Sequence, residues 1–476
     1  MKNRRNKLPE PTKGKNSNIE LVLGDHKKAI KQLAWPMMVS MFLIMAYNLA
    51  DGIWVAGLGA DALAAIGFIT PLFMILVGLG NGIGAGANSV IARFIGSKNY
   101  EEANNTAAHS LVLTLIISIL GAIIMCLILP QILEVMGAGS STQTALEYGY
   151  IIFGLMIVFI YSNVGTALLR SEGDVKRAMY AMAVTAILNI ILDPIFIYVM
   201  GMGISGAAWA TVLSATVSCF VLIYWMHYKK DTYLDISFKN FHYETKLVTG
   251  ILNIAIPSTA ENLIFSILGI VENWILVTTA GTVAVAAYTA ALRLIQLANI
   301  PLMGFGTALL TVAGAAYGAR NYIKVKNSFT YTLKLGLISA TIMAILFFIF
   351  APQISMVFAY SSSASLAPMI AEIIRIMIIF IYSICLGMIS AMIFQGVGKG
   401  TTSLCLTIIR SLLCEVILSY LFGIVFGWGA YGVYFGVTIG GLIGGFISFG
   451  WASLYIRRLI KNYDADPEIE NIDKTE

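Results

Sequence analysis

Twelve long apolar segments most restrict what this chain can fold into. Polar or Gly/Pro breaks separate them, and each has the roughly 20 mainly apolar residues that a helix needs to cross a bilayer. The chain is 58% hydrophobic and only 12% charged, so the sequence predicts an all-α integral membrane protein. The predicted spans are 33–57, 62–92, 107–129, 147–169, 178–200, 204–226, 248–279, 283–313, 331–351, 368–396, 403–426 and 430–455.

Lysine and arginine lie on one side of this arrangement. Nine precede Trp35, whereas the alternate connections "GLGAD", "GMG", "AGT" and "GWGA" contain none. Basic loops stay in the cytoplasm, which predicts a multi-pass protein of the cell membrane with both termini cytoplasmic. The net charge of +5 is thus explained by the membrane topology. We expect the lipid bilayer as a partner and no binding of nucleic acid. The predicted divisions are a basic tail (1–32), an N-terminal lobe (33–228), a linker (229–247), a C-terminal lobe (248–457) and a second tail (458–476).

The sequence also repeats itself. "LAWPMMVS" around Pro36 returns as "IAIPSTAE" around Pro257, "FIGSKNY" returns as "YGARNY", and "GMGISGAAWA" returns as "GWGAYGVYFG". Each half holds six spans, an even number, so both halves start on the same membrane side and their pseudo-two-fold axis lies along the membrane normal. Two six-helix bundles facing a central cleft suit a carrier that rocks between inward-open and outward-open states.

Three motifs add a resemblance to a known family. The chain contains "NLADGIWVAGLGADALAAIG" in the first span, "LLRSEGD" before the fifth and "NIILDP" within it. In this combination it resembles the multidrug and toxic compound extrusion (MATE) transporters over roughly residues 30 to 457. The resemblance implies secondary active export of organic, often cationic small molecules, driven by inward flow of protons or sodium ions. A two-lobed monomer with its own cleft needs no protein partner.

Asp51 is a carboxylate in the middle of the first span, where an acid costs roughly 2.5–3.5 kcal/mol on the insertion scale. Asn189 and Asp193 are four residues apart and share one face of the fifth span, and Thr211 offers a hydroxyl in the sixth. Such oxygens suit a hard cation, and two nearby carboxylates suit a proton carrier. The resemblance to the archaeal-type branch of the family implies that these four residues form an ion-coupling pocket, for a proton or as a sodium site. The alternative is that they only hydrogen-bond neighbouring helices.

A second group is predicted to line the substrate cavity, with packing as the alternative. Glu272 follows Pro257 at the same spacing at which Asp51 follows Pro36, whereas the equivalent of Asp193 falls at Leu418 or Ser419. The cavity candidates are Tyr47, Asn48, Tyr148, Asn163 and Glu272. Four further charged residues either pair with one another or line the path of the substrate, namely Glu261, Arg293, Arg410 and Glu415.

Other functions make different demands on the sequence. A lipid-linked oligosaccharide flippase would need a more cationic cavity for pyrophosphate, and a membrane enzyme would need a nucleophile with a base or a metal cluster. The five cysteines fall within predicted spans and form no C-x-x-C pair, and the four histidines are scattered along the chain. We therefore expect no catalytic residues, no histidine metal cluster and no cofactor beyond the coupling ion. A membrane protein that does not transport is a further alternative.

Overall fold

The computed structural model describes residues 13–229, 232–236, 241–356 and 366–464. Every regular element in these ranges is helical. The ends of both tails and parts of the linker and of the ninth connection lie outside them. The α-helices are α1 (Lys13–Leu23), α2 (His26–Ala56), α3 (Ala60–Gly96), α4 (Tyr100–Val135), α5 (Thr142–Gly154), α6 (Met156–Ser171), α7 (Val175–Pro194), α8 (Gly203–Ile223), α9 (Thr245–Ala298), α10 (Ile300–Gly318), α11 (Tyr322–Ile349), α12 (Ala351–Ser355), α13 (Ala367–Met377), α14 (Phe380–Gly396), α15 (Gly400–Thr407), α16 (Val416–Tyr420) and α17 (Gly429–Asp464).

The number of membrane spans agrees with the prediction. Within the described ranges, ten helices are long and apolar enough to cross a bilayer, and two bent pairs raise the number to as many as twelve. The pairs are α5 with α6, bent by 47°, and α13 with α14, bent by 52°. The protein is therefore a multi-pass membrane protein of the predicted all-α class.

The longest helix, α9, contains the predicted turn between the seventh and eighth spans. Gly281 interrupts its 54 residues with φ 77° and ψ −178°, a conformation that is strained for residues with a Cβ atom. Gly59, at the equivalent turn of the first half, has φ 106° and ψ −179°. Lys98 and Arg320, which occupy the same place in "FIGSKNY" and "YGARNY", have φ values of 57° and 56°. The two halves thus repeat in backbone conformation as well as in sequence.

Each lobe has its own apolar core, and close contacts join the lobes at one end. A Cβ atom on Gly96 of α3 would overlap the carbonyl oxygen of Ala315, and one on Gly318 of α10 would overlap that of Arg93. These two contacts are equivalent under the repeat that relates the halves. An alanine at either position would clash with the facing backbone, so α3 and α10 approach each other closely here because both residues are glycine.

Hydrogen bonds also join α3 of the N-terminal lobe to α10 and α14 of the C-terminal lobe. Ser89 Oγ donates to the carbonyl oxygens of Gln395 and Gly396, at 2.5 and 3.1 Å. Thr311 Oγ1 donates to Asn88 Oδ1 at 3.1 Å. All of these residues lie towards the end of the bundle that carries the Lys- and Arg-rich connections. The lobes are closed at that end.

Part of the segment predicted as a basic tail is folded against this closed end. In α1, Val22 is fully buried in an apolar cluster that includes residues of α2 and α10. The Nζ atom of Lys324 donates to the carbonyl oxygens of Val22 and Leu23, at 3.0 and 2.7 Å. A lysine thus satisfies carbonyl groups that the end of α1 leaves without helical partners. Helix α2 then begins at His26, before the predicted start of the first span.

The linker between the lobes is fastened to the loop after α6 by Glu172. The side chain of Glu172 is only 2% exposed, and the backbone N–H of Leu234 donates to its Oε2 atom at 2.8 Å. Burial raises the pKa of Glu172 from 4.5 to about 8, and the bond from Leu234 opposes this shift only in part. The folded state thus holds the proton on Glu172 more tightly than the unfolded state does.

This difference predicts a pH dependence of stability. Because the pKa is raised on folding, the contribution of Glu172 is fully present below pH 4.5 and is lost as the pH rises to about 8. Glu172→Gln keeps an oxygen acceptor for Leu234 but does not titrate. We expect the difference in melting temperature, that of Glu172→Gln minus that of the wild type, to be larger at about pH 8 than at about pH 5. A difference that does not change with pH would show that Glu172 is not the titrating group.

Candidate functional site

Three of the four predicted coupling residues are in direct contact. Asn189 and Asp193 lie one turn apart on α7, and Thr211 faces them from α8. The Nδ2 atom of Asn189 donates to Asp193 Oδ1 and to Thr211 Oγ1, both at 3.2 Å. Asp193 is fully buried and Asn189 is 1% exposed. These three residues therefore form a buried polar cluster inside the N-terminal lobe.

Asp51 of α2 belongs to the same cluster. It interacts electrostatically with Asp193 and with the nearby tyrosines Tyr47 and Tyr148. Three buried oxygens of the cluster have no hydrogen-bond partner, namely Asp51 Oδ1, Asn189 Oδ1 and Asp193 Oδ2. Buried oxygens without a donor are costly, and a proton or a hard cation would satisfy them. The cluster thus has the chemistry of a site for either ion.

The helix that carries Asp193 changes its winding directly after this residue. Helix α7 ends at Pro194, and residues Ile195–Val199 continue as a π-helix. Proline lacks the N–H that would extend the regular pattern, and short π segments often mark functional positions. The equivalent segment of the other lobe, Leu421–Val425, is also a π-helix. Both lobes therefore have an irregular turn at this point.

A cavity of about 810 Å³ lies between the lobes. Its wall includes five of the predicted site residues, Tyr47, Asn163, Asn189, Thr211 and Glu272. Much of the remaining wall is thioether and aromatic. These residues are Met37, Met41, Phe73, Phe159, Met182, Phe265, Met303, Phe380, Met388 and Met392.

Four predicted residues lie outside the lining of this cavity. Asp51 and Asp193 lie behind it, in the polar cluster that Asn189 and Thr211 connect to the wall. Tyr148 is 8% exposed and packs in the core of the N-terminal lobe. Asn48 is exposed, and its Nδ2 atom donates to the carbonyl oxygen of Ile44 at 2.8 Å. The cavity wall and the ion cluster are thus adjacent rather than identical.

The C-terminal lobe contributes buried charge to the cavity wall. Tyr288 donates to Glu272 Oε2 at 2.7 Å, Arg410 Nη1 pairs with Glu415 Oε1 at 2.9 Å, and Gln395 donates to Glu261 Oε2 at 3.2 Å. One carboxylate oxygen of each glutamate is buried without a partner. Arg410 and Glu415 therefore pair with each other and also line the cavity. Arg293 is exposed and lies outside the lining.

Sequence reasoning did not find the position of Glu415 in the repeat. Glu415 precedes "GWGAYGVYFG" at the same spacing at which Asn189 precedes "GMGISGAAWA". When the fifth span is aligned with the eleventh span at this spacing, Asn189 corresponds to Glu415 and Asp193 corresponds to Ser419. The C-terminal lobe thus holds an acid pair, Glu272 and Glu415, that interact electrostatically at the place equivalent to the N-terminal cluster.

Two repeated helical lobes around a central cavity, with buried carboxylates in both, define a multi-pass membrane protein built to surround a small molecule. The model of the MatE family matches residues 36–195 and 257–421. The chain therefore belongs to the MatE family, whose relatives named below are transporters and not enzymes.

Curated relatives cover most of the chain. The probable multidrug resistance protein YoeA of Bacillus subtilis is 28% identical over 65% of this chain and 68% of its own length. The FAD transporter of Shewanella oneidensis is 28% identical over 70% of this chain and 74% of its own length. The multidrug export protein MepA of Staphylococcus aureus is 25% identical over 84% and 88%.

Solved structures are similar over nearly the whole length. A MATE structure in complex with MaL6 has a TM-score of 0.92 and 38% identity, covering 94% of this chain and all of the other. An outward-facing multidrug resistance MATE transporter of the MOP superfamily has the same score and identity, covering 95% and 100%. A MOP superfamily transporter from Pyrococcus furiosus has a TM-score of 0.91 and 38% identity, covering 95% and 99%.

Proposed function

We propose that this chain is a secondary active efflux transporter that exports organic, often cationic compounds by alternating access. The main support is the cavity of about 810 Å³ between two lobes that are closed at one end. Methionine and aromatic side chains line it, and such walls adapt to flat apolar cations of different shapes. The multidrug proteins among its relatives agree with this proposal.

The balance of charge in the wall favours this substrate class over a pyrophosphate-linked lipid. Three glutamates and two arginines are the charged residues among the described lining. A flippase for lipid-linked oligosaccharides would need an excess of cationic groups to bind pyrophosphate. The wall instead offers more carboxylates than guanidinium groups. The five charged lining residues are Glu261, Glu272, Glu415, Arg170 and Arg410.

The coupling ion, a proton or a sodium ion, is proposed to bind at the Asp51, Asn189, Asp193 and Thr211 cluster. Two carboxylates that interact in a buried site favour a shared proton, and the three oxygens without partners also suit sodium. Asn189 and Thr211 touch both this cluster and the cavity wall. An ion bound at the carboxylates therefore changes the electrostatic environment of the cavity wall. A single chain contains both parts, so we propose a monomer.

The function is tested by uptake and counterflow in vesicles. Purified protein in liposomes should move a fluorescent organic cation when a proton or sodium gradient is imposed, and the movement should stop when the gradient is dissipated. Preloaded unlabelled substrate should accelerate entry of the labelled compound, because a carrier exchanges its two states with substrate bound. Flux without counterflow would identify a channel, and no flux of any organic cation would overturn the proposal.

The proposed orientation places both termini in the cytoplasm. Two exposed serines at opposite ends of the bundle allow a matched test, Ser97 after α3 and Ser140 after α4. In a background without the native cysteines, Ser140→Cys should react with an impermeant thiol reagent added outside intact cells. Ser97→Cys should react only after the membrane is opened. The reverse pattern would invert the topology.

A further inference from the structure

Three side chains that commonly ligate metals meet outside the transport site, at the Lys- and Arg-rich end. Glu102 lies in the first turn of α4, and His242 and Glu244 lie directly before α9. One ligating atom of each lies within 4.8 Å of the others. His242 Nε2 is 3.2 Å from Glu244 Oε1. We propose that these residues bind a divalent transition-metal cation of the Zn²⁺ type, which fastens the linker between the lobes to α4.

A buried framework positions the two linker ligands. Asn105 Nδ2 donates to the carbonyl oxygen of His242, and His109 Nε2 accepts from the backbone N–H of Glu244, both at 3.1 Å. The Nδ1 atom of His109 lies 2.8 Å from the carbonyl oxygen of Asn105 and donates to it, since Nε2 is the acceptor. The His109 ring also packs on Phe241, with 4.6 Å between ring centroids. The linker backbone is thereby held in place where it faces Glu102.

Two oxygens at this site are buried and lack a hydrogen-bond partner. They are Glu102 Oε2 and Asn105 Oδ1, and the Asn105 side chain is only 5% exposed. Such oxygens are unfavourable without a donor or a cation. A cation held by Glu102 would satisfy the first of them and would offset the charge that Glu102 and Glu244 bring together. The buried Glu102 oxygen and the two neighbouring carboxylates are therefore more favourable with a positive ion present than without one.

The donor set indicates the class of metal. One imidazole and two carboxylates suit Zn²⁺, which takes three protein ligands and a water where a site is open. Mg²⁺ and Ca²⁺ prefer oxygen alone. In the neutral ring His242 Nε2 accepts from Asn105 Nδ2 at 3.1 Å, so this nitrogen carries a lone pair that a metal would take in place of the amide. The amide would keep its bond to the His242 carbonyl.

The location gives such a site a mechanical consequence. Helix α4 belongs to the N-terminal lobe, and residues 241–244 lead into α9, which packs on that lobe through Ile251 and Ala255 and on the C-terminal lobe from Ile275 onwards. A metal bound to both α4 and the linker would strengthen the attachment that Asn105 and His109 already give the linker. It would therefore restrain the movement of one lobe relative to the other, without any contact with the cavity.

The test measures zinc bound to the full-length protein in detergent, after removal of any histidine tag. Equilibrium dialysis with metal analysis should give one zinc per chain, and X-ray absorption should show nitrogen and oxygen ligands at about 2.0–2.2 Å. Glu102→Gln and His242→Asn should each weaken binding by at least about tenfold, since each removes one ligand. Glu101→Gln changes the exposed neighbouring acid and should leave binding unchanged.

Three results would overturn the proposal. They are no zinc on the wild type, equal binding by the ligand variants, and a coordination shell of oxygen alone. The first would leave only the contact between His242 and Glu244, and the other two would indicate adventitious surface binding. If a variant lost its sharp gel-filtration peak, Glu244→Gln would replace it, because the bond that the Glu244 backbone N–H donates to His109 Nε2 does not involve the Glu244 side chain.

Discussion

Asp51→Asn is expected to abolish gradient-driven efflux while the protein remains folded in the membrane. The change keeps the size of the side chain and its capacity for hydrogen bonds but removes the charge that an ion would neutralise. Asp51 Oδ1 is buried without a partner, so the structure loses no hydrogen bond there. Substrate should still bind, because Asp51 lies outside the cavity wall. The measurement is export of a fluorescent cation from vesicles under a proton or sodium gradient.

Two other acids complete this experiment. Asp193→Asn should also abolish driven efflux, since Asp193 interacts with Asp51 and accepts from Asn189 in the same cluster. Glu372→Gln is the matched control, because Glu372 is exposed near the end of the bundle and is contacted by the Tyr431 hydroxyl. Its efflux should be close to that of the wild type. Export by Asp51→Asn at the native rate, with native dependence on pH and sodium, would favour a purely structural role for the cluster.

Gly318→Ala is expected to reduce efflux on the order of tenfold by preventing closure of the lobes. An added Cβ would overlap the carbonyl oxygen of Arg93 in α3, and overpacking of this kind costs about 1–3 kcal/mol. A change of about 1.4 kcal/mol alters an equilibrium tenfold. We expect this contact to be lost when the lobes separate at this end, so the population should shift away from the closed arrangement. Gly96→Ala should act in the same way through Ala315.

Accessibility of the cavity provides a second readout. Met303 lines the cavity, and Met303→Cys should become more reactive from the side of the Lys- and Arg-rich connections when Gly318→Ala is added. Gly67→Ala is the control in α3, because an added Cβ meets nothing within 4 Å there. Alanine is the better helix former by about 1 kcal/mol, so a loss specific to Gly318 reflects the contact. Native efflux in Gly318→Ala would show that the crossing of α3 and α10 is not tight during transport.

Local patterns were sufficient to predict the class of fold. A span is a continuous apolar segment, and the two halves are related by nearly constant sequence offsets, so neither inference needs distant residues. Asn189 and Asp193 could be placed together because four residues separate them on one helix. Their contact with Thr211, and the proximity of Asp51, had only the family resemblance as support before the fold was known.

Contacts between helices decided the rest. The sequence predicted Tyr148 and Asn48 at the cavity, but the direction of a side chain from a helix with apolar residues on every face depends on its neighbours. The histidines look scattered along the chain, yet the fold brings His242 to Glu102, because the linker returns to α4 and is held there by Asn105 and His109. Hydrophobic length and repetition are properties of the chain itself, whereas a site between distant segments exists only after the helices have packed.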